Sequence, residues 1–366
     1  MSSRPRPEVT REQILAHRVA AQGLDRASTT PDVLALGVQD TPNGSARLAF
    51  AARGVAPDEV PGGLDRVWSF RGAPHIHRRN DLRALAAALW PVSDADATAR
   101  LASVQLKRGS ALGVEAFAVT ARAFRDVVTT PMPKGEVSTA VSAAVPEVLT
   151  FWCEPCGARH ISGQLFQQAG LFAALEVGVT GRQTVLAPLH DRFPVPVAAA
   201  GTSELVRRLL GFLGPAAPAE VAALLGTKPA VVESLWPDGL AEVAVDGRRA
   251  WLPEGSLAGL RTAEPGSLVR LLPPGDPFLQ ARDRALLLPD PAHRKELWRP
   301  VSAPGALLVG AEIAGTWRVK AAGRRAAVTV APFAPLRARV RKALEAEAAT
   351  VAEARGATGA TLDIAS

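Results

Sequence analysis

Two stretches of this chain repeat one pattern. Glu176-Val-Gly-Val-Thr-Gly-Arg-Gln-Thr-Val-Leu186 and Glu242-Val-Ala-Val-Asp-Gly-Arg-Arg-Ala-Trp-Leu252 both read E-V-x-V-x-G-R-x-x-x-L. Each has apolar residues at alternate positions on both sides of a glycine, the pattern of a β-hairpin with one buried face. The second hairpin follows a legible run of helices. Thr202 or Ser203 caps an apolar-periodic segment that ends at Leu213, where Gly214-Pro215 breaks it. Pro218 to Leu225 reads as a second short helix, Gly226-Thr227 turns the chain, Pro229 suits a first helical turn, and Val231 to Trp236 completes a third. Three short helices followed by a hairpin is the order of a winged helix.

The same order is expected upstream. Residues 115–127 form one amphipathic helix, Thr130-Pro131 stops it, and Pro133-Lys-Gly-Glu136 opens another. An insertion carrying Cys153 and Cys156 and a helix over 162–175 then precede the hairpin at 176–186. A third copy is expected at the N-terminus, with helices at 11–23, 31–37 and 44–53 and a hairpin over 67–77. From residue 267 the text changes to short strands and turns, then a helix from Pro335. The expected class is α+β: tandem winged-helix motifs at 1–110, 111–198 and 199–262, a small basic β-rich domain at 263–345, and a helical or disordered tail at 346–366 whose last ten residues are disordered.

With 366 residues, 48% of them hydrophobic, the chain exceeds what one core usually serves, in keeping with several modules. The longest uncharged stretch, between Arg159 and Glu176, falls short of the roughly 18 apolar residues of a membrane span. The first ten residues carry no apolar signal-peptide core, so a cytoplasmic location is expected. The formal charge is +7, and residues 261–342 hold 15 Lys and Arg against 6 Asp and Glu, a local +9 that leaves −2 elsewhere. Such an excess points to a polyanion, nucleic acid first. Arg outnumbers Lys by 36 to 6; this fits forked phosphate contacts and equally fits the coding bias of a GC-rich genome.

Particular motifs then resemble a family. Leu36-Gly-Val-Gln39-Asp40-Thr41-Pro42 followed by Ala46-Arg-Leu-Ala-Phe-Ala-Ala-Arg53, together with Phe70-Arg71-Gly72-Ala-Pro-His75-Ile76, is similar to winged-helix DNA glycosylases of the AlkZ and YcaQ type. The likeness continues in Val243 to Trp251, in Leu271-Leu-Pro-Pro-Gly275-Asp276-Pro-Phe-Leu279, and in Arg282-Asp283-Arg284 and Gly315-Thr-Trp-Arg318. It covers nearly the whole chain. The resemblance implies three winged-helix motifs in a C-shaped array, a monomer on double-stranded DNA near the nucleoid, and excision of alkylated purines, crosslinked ones included. It also implies that catalysis needs no cofactor.

The family's catalytic signature is Gln, an aliphatic residue, then Gln or Asp. Gln39 matches its first position, whereas Asp40 and Thr41 depart from the next two. A cationic alkylpurine is already a good leaving group, so the enzyme must chiefly hold a water against C1′ and stabilise a developing oxocarbenium charge. An amide orients water, and a carboxylate also stabilises positive charge or takes a proton. Thr41 can do only the first, and Asp40 can do both if the backbone turns it inward. By resemblance His75 lies near the lesion strand. From alternation alone His75 and His77 read as one in and one out of a strand. Candidate DNA contacts are therefore His75, His77, Arg71, Arg182, Arg248, Arg249, Arg282, Arg284 and Arg318, while Trp68 and Trp251 read as packing residues.

Cys153, Cys156 and His160 form C-x2-C-x3-H, three ligands at plausible structural-zinc spacing that still need a fourth from His190, a carboxylate or water. The other reading is a pair of buried thiols in a loop with His160 on the surface. A thioredoxin-like role lacks the βαβ context. Two functions stay open: a monofunctional glycosylase, favoured by Gln39, and a non-catalytic winged-helix DNA-binding protein, favoured by Thr41. A small-molecule enzyme finds little support, since no phosphate-cradling glycine loop, G-x-S-x-G or paired acidic metal motif stands in the sequence.

Overall fold

The repeated hairpins form where the alternation places them. Leu175–Thr180 pairs antiparallel with Gln183–Pro188, Val177 opposite Leu186, and Leu240–Val245 pairs with Arg248–Pro253, Val243 opposite Ala250. The second turns at Asp246-Gly247, both left-handed at φ 48° and 74°, as tight hairpin turns of this kind require. Ahead of it stand the helices Thr202–Leu213, Pro218–Leu225 and Pro229–Glu233, in the expected order. The N-terminal hairpin is also present, Leu64–Trp68 with Pro74–Arg78. This computed structural model describes residues 6–27, 32–102, 106 and 108–365, which divide into two compact units.

One unit comprises Met1–Gly62, Arg207–Glu220 and Asp238–Ser366. Its five-stranded sheet runs Val269–Leu272, Gly305–Val309, Glu312–Ala322, Arg325–Pro332 and Ala360–Ile364 in spatial order. The first four strands are antiparallel, and the last lies parallel to Arg325–Pro332. A parallel neighbour demands a crossover, and the helix Ala338–Ala354 supplies it. The expectation of ten disordered terminal residues is thereby corrected: small and polar residues there hide a strand that the preceding helix returns to the sheet. Leu48 and Ala51, from the helix Ser45–Ala52, join Leu271, Trp317, Val330 and Leu344 in one buried cluster. Burying each large side chain contributes about 1.5–3 kcal/mol. The helix that follows Gln39 is therefore seated on the C-terminal sheet.

The helix Arg11–Ala21 opens on a reciprocal capping box, in which Thr10 Oγ accepts from the Gln13 N–H and Gln13 Oε1 accepts from the Thr10 N–H. The helix expected at 31–37 is instead a 3-10 turn, Asp32–Ala35, because Gly37 at φ 71° leaves no room for a longer one; residue 31 lies outside the described residues, as do residues 1–5.

The other unit comprises Gly63–Val206 and Val221–Pro237. Helices Val114–Val127, Lys134–Ala144 and Gly163–Phe172 precede the 175–188 hairpin, and Met132–Pro133 adds a short strand beside Val185 and Leu186. Between the second and third helices sits a small hairpin, Thr150–Cys153 with Ala158–Ile161. The core is aromatic: Trp90 meets Phe172 edge-on at 4.8 Å, Phe124 lies 4.7 Å from Phe166, and Trp68 is buried 5.7 Å from Phe166. Edge-on pairs add about 0.5–1.5 kcal/mol beyond their burial. Two helices, Leu82–Leu89 and Asp94–Leu101, have no counterpart in the sequence reading. Ser93 caps the second, and its Asp96–Arg100 pair, polar in sequence, is buried. Among the described residues no helix is long and apolar enough to cross a membrane.

Candidate active site

Gln39 ends the two-residue strand Val38–Gln39, half-buried, and Asp40-Thr41-Pro42 leads into the helix Ser45–Ala52. The N-cap is Gly44, which has no side chain, so the first helical N–H groups need another acceptor. Asp40 supplies it. Its Oδ1 accepts from the N–H of Gly44 at 2.8 Å and of Ala46 at 3.0 Å, with the residue 4% exposed. The capping carboxylate fixes the backbone immediately after Gln39.

A second segment closes on the Gln39 side chain itself. Gly275 has φ +77°, a left-handed backbone that favours glycine, and a Cβ there would stand 3.1 Å from Gln39 Cδ and 3.2 Å from Nε2, so a larger residue would push on the amide by a few tenths of an ångström. Next to it, Asp276 is fully buried. Its Oδ1 accepts from the Phe278 N–H at 2.9 Å, and both oxygens accept from Arg53, at 2.9 Å and 3.1 Å. Arg53 closes the C-terminal end of Ser45–Ala52 and also donates to the carbonyls of Ala49 and Gln22. One helix thus carries both restraints: Asp40 holds its start, and Arg53 at its end holds the loop that touches Gln39. Among the described residues the Gln39 amide makes no hydrogen bond, so both its donor and its acceptor side are available to water or substrate.

The departures from the family signature point in opposite directions. Asp40 turns inward to the helix, and Thr41 is exposed. Beside them in the same unit a hollow of about 160 Å³ is lined by Pro42, Pro274, Arg318 and Arg355 among others. Arg318 donates through Nη2 to the Ser302 carbonyl at 2.7 Å and is otherwise exposed. The restraint around Gln39 was not legible in advance. Asp276-Pro277 reads locally as a helix cap, whereas its partner Arg53 stands 223 positions away.

The histidine reading is corrected. His75 and His77 both face inward, 6% and 2% exposed, because residues two apart on a strand share a face. His75 Nδ1 donates to the Ala73 carbonyl at 2.9 Å, and His77 Nε2 pairs with Ser69 Oγ at 3.0 Å. Burial pushes the His75 pKa down to about 4, despite the Ala73 carbonyl, and burial with the neighbouring His75 holds His77 well below the ordinary value. Both rings are neutral near pH 7, so neither offers a positive charge to a phosphate.

The arginines sort by what they already hold. Arg71, at φ 55°, donates to the carbonyls of Ala223 at 3.2 Å and Leu224 at 3.5 Å in the last turn of the helix Pro218–Leu225, where a helix has no donors of its own for its carbonyls. Arg249 grips Glu242 with two hydrogen bonds of 2.7 Å and 2.9 Å, lowering that carboxyl's pKa, and lies over Trp251. Arg284 stacks on Trp298 at 4.9 Å, where burial lowers its pKa. Arg282 is half-buried, its Nε and Nη2 without a partner among the described residues. Arg182 and Arg248 are exposed at the two hairpin turns. Cys153, Cys156 and His160 come together on the 150–161 hairpin, with ligand atoms within 4.8 Å of one another; sharing a hydrogen bond with Cys153 raises the Cys156 thiol.

The fold is α+β, the Gln39 amide at the end of the strand Val38–Gln39 makes no hydrogen bond among the described residues, and the C-terminal third is basic. The family described as DNA glycosylase AlkZ-like matches residues 34–354, and the chain belongs to that family. Membership makes DNA the substrate and base removal in DNA repair the class of activity. Among solved structures, the DNA glycosylase AlkZ of Streptomyces sahachiroi is similar at a TM-score of 0.74 and 21% identity, covering 98% of this chain and 100% of that one, a likeness of fold. No match was found among curated protein sequences.

Proposed function

We propose that this chain is a monofunctional DNA glycosylase that hydrolyses the N-glycosidic bond of alkylated purines, crosslinked bases included, on double-stranded DNA, as a monomer and without a catalytic cofactor. Gln39 orients the attacking water. The observation that carries the reading is its amide, half-buried, unpartnered among the described residues and with the Gly275 backbone beside it. A half-buried amide with donor and acceptor both open can hold a water in one orientation, which is what an attack on C1′ requires. An N7- or N3-alkylated purine leaves without prior protonation, so a positioned water with modest charge stabilisation suffices. Selectivity then rests on the leaving group, and normal bases stay attached.

Three helix-then-hairpin segments support winged-helix contacts with duplex backbone, for which Arg182 and Arg248 at the turns are suited. Arg318 and Arg355 beside the hollow suit a phosphate. Work on chromosomal DNA would place the protein at the nucleoid. One observation favours a second reading, a DNA-binding protein without catalysis: Asp40 Oδ1 is engaged in capping and Thr41 is exposed. Duplex DNA carrying 7-methylguanine decides between them. With enzyme in excess, a glycosylase releases free base and leaves an alkali-labile abasic site, whereas binding without release supports the second reading.

A further inference from the structure

The small hairpin inserted ahead of the 175–188 hairpin has no place in the glycosylase reading. Its strands pair Phe151 with His160, Trp152 with Arg159 and Cys153 with Ala158. Alternation therefore puts Cys153 and His160 on one face as diagonal neighbours. Glu154-Pro155-Cys156 makes a single 3-10 turn, closed by the left-handed Gly157, whose N–H donates to the Glu154 carbonyl at 3.2 Å. That turn brings Cys156 back over the same face, and one ligand atom from each of Cys153, Cys156 and His160 lies within 4.8 Å of the other two. Neither cysteine is in a disulfide, and His160 Nε2 is buried without a hydrogen-bond partner among the described residues. A buried polar atom left unpaired costs about 1–3 kcal/mol, so a missing partner is implied.

We infer that Cys153, Cys156 and His160 bind a zinc ion, with water or another exchangeable group in the fourth position. Two thiolates and an imidazole form a soft donor set that selects zinc over hard oxygen-seeking cations such as magnesium or calcium. With Zn–S of about 2.3 Å, tetrahedral sulfurs stand about 3.8 Å apart, so closure from the present spacing asks for a shift of about 1 Å. Cys156 is exposed at a turn and free to make it. The ion would pin the hairpin tip, where Trp152 is 51% exposed. These residues belong to the unit that does not contain Gln39, and the proposal does not rest on the reaction assigned there.

The test uses the full chain, purified under reducing conditions without chelator or added metal. About one zinc per chain is expected by plasma mass spectrometry. After exchange with cobalt(II), thiolate-to-metal charge transfer in the near ultraviolet and the intense visible bands of a tetrahedral site should appear. His160→Ala should keep the charge transfer and move the visible bands. Cys153→Ser with Cys156→Ser should abolish both. Removal of both thiols can loosen the hairpin, so circular dichroism accompanies each variant, and His160→Ala, which keeps the thiols, carries the test if the double variant unfolds. Chain that is metal-free as purified and gives no cobalt spectrum would overturn the site. So would a Cys153–Cys156 disulfide as the only state recovered from reducing buffer, or a cobalt spectrum identical in wild type and His160→Ala.

Discussion

Asp40 caps the helix start, and two substitutions separate that cap from the charge of its carboxylate. Asparagine keeps an acceptor for the N–H groups of Gly44 and Ala46 and removes the charge, whereas alanine removes both. Asp40→Asn should leave the urea midpoint and the rate of base release within a few-fold of wild type. Asp40→Ala should lose about 1–2 kcal/mol of stability and, by freeing the backbone after Gln39, most of the activity. Loss of activity in Asp40→Asn at unchanged stability would show that the carboxylate works on the substrate. His75 and His77 give a second residue-level test. The unfolded chain takes up their protons near pH 6.5, whereas folded His75 does so only near pH 4 and His77 well below its ordinary value. Their full contribution to stability is present above about pH 6.5. It is lost as the pH falls towards 4, by up to about 1.4 kcal/mol per pH unit for each ring. Urea unfolding at about pH 7 and pH 5 should show this slope, and His75→Asn, which keeps a donor for the Ala73 carbonyl, should reduce it; an equal slope in both proteins would contradict the buried neutral assignment.

At the scale of elements, the helix Ser45–Ala52 does most to place the site. It packs on the C-terminal sheet through Leu48 and Ala51, and Arg53 at its end grips Asp276 in a pair 2% and 0% exposed. Asp276→Ala leaves a buried guanidinium without its partner and should cost about 3–5 kcal/mol. Gly275→Ala acts more narrowly, placing a methyl group against the Gln39 amide at a left-handed position, at a cost of about 1 kcal/mol or more. Base release should fall in Gly275→Ala while DNA affinity holds, and unchanged release would mean that this contact does not position Gln39. Alternation and glycine turns made the hairpins readable, since both signals are local. The Asp94–Leu101 helix was not readable because its Asp96 and Arg100 pass for surface residues until their mutual pairing is seen. Arg53–Asp276 and Arg71 on Ala223 were hidden for another reason, being contacts between positions far apart in sequence.

Across the whole molecule, charge is the property that the sequence reports most directly and the structure most refines. The +9 balance of residues 261–342 stands, yet several arginines there and at the hairpins are already engaged. On duplex DNA, log affinity should fall with log salt by about 0.9 per phosphate neutralised. Arg248→Ala should lower that slope by about one contact, and Arg249→Ala by less, because Glu242 already pairs with it. Equal effects from the two would mean that the Glu242 pair opens on DNA. Gln39 itself was legible only through its likeness to a family motif, since a lone glutamine at the end of a strand carries no chemical signature; the Gly275 backbone beside the amide emerges only in three dimensions. The most direct test of the proposed reaction is single-turnover release of 7-methylguanine from duplex DNA by wild type and by Gln39→Ala, with DNA affinity measured alongside. Wild type should release the base, and Gln39→Ala should bind equally well while releasing it at least about 100-fold more slowly. Release by Gln39→Ala at the wild-type rate would contradict the assignment of the catalytic water to Gln39.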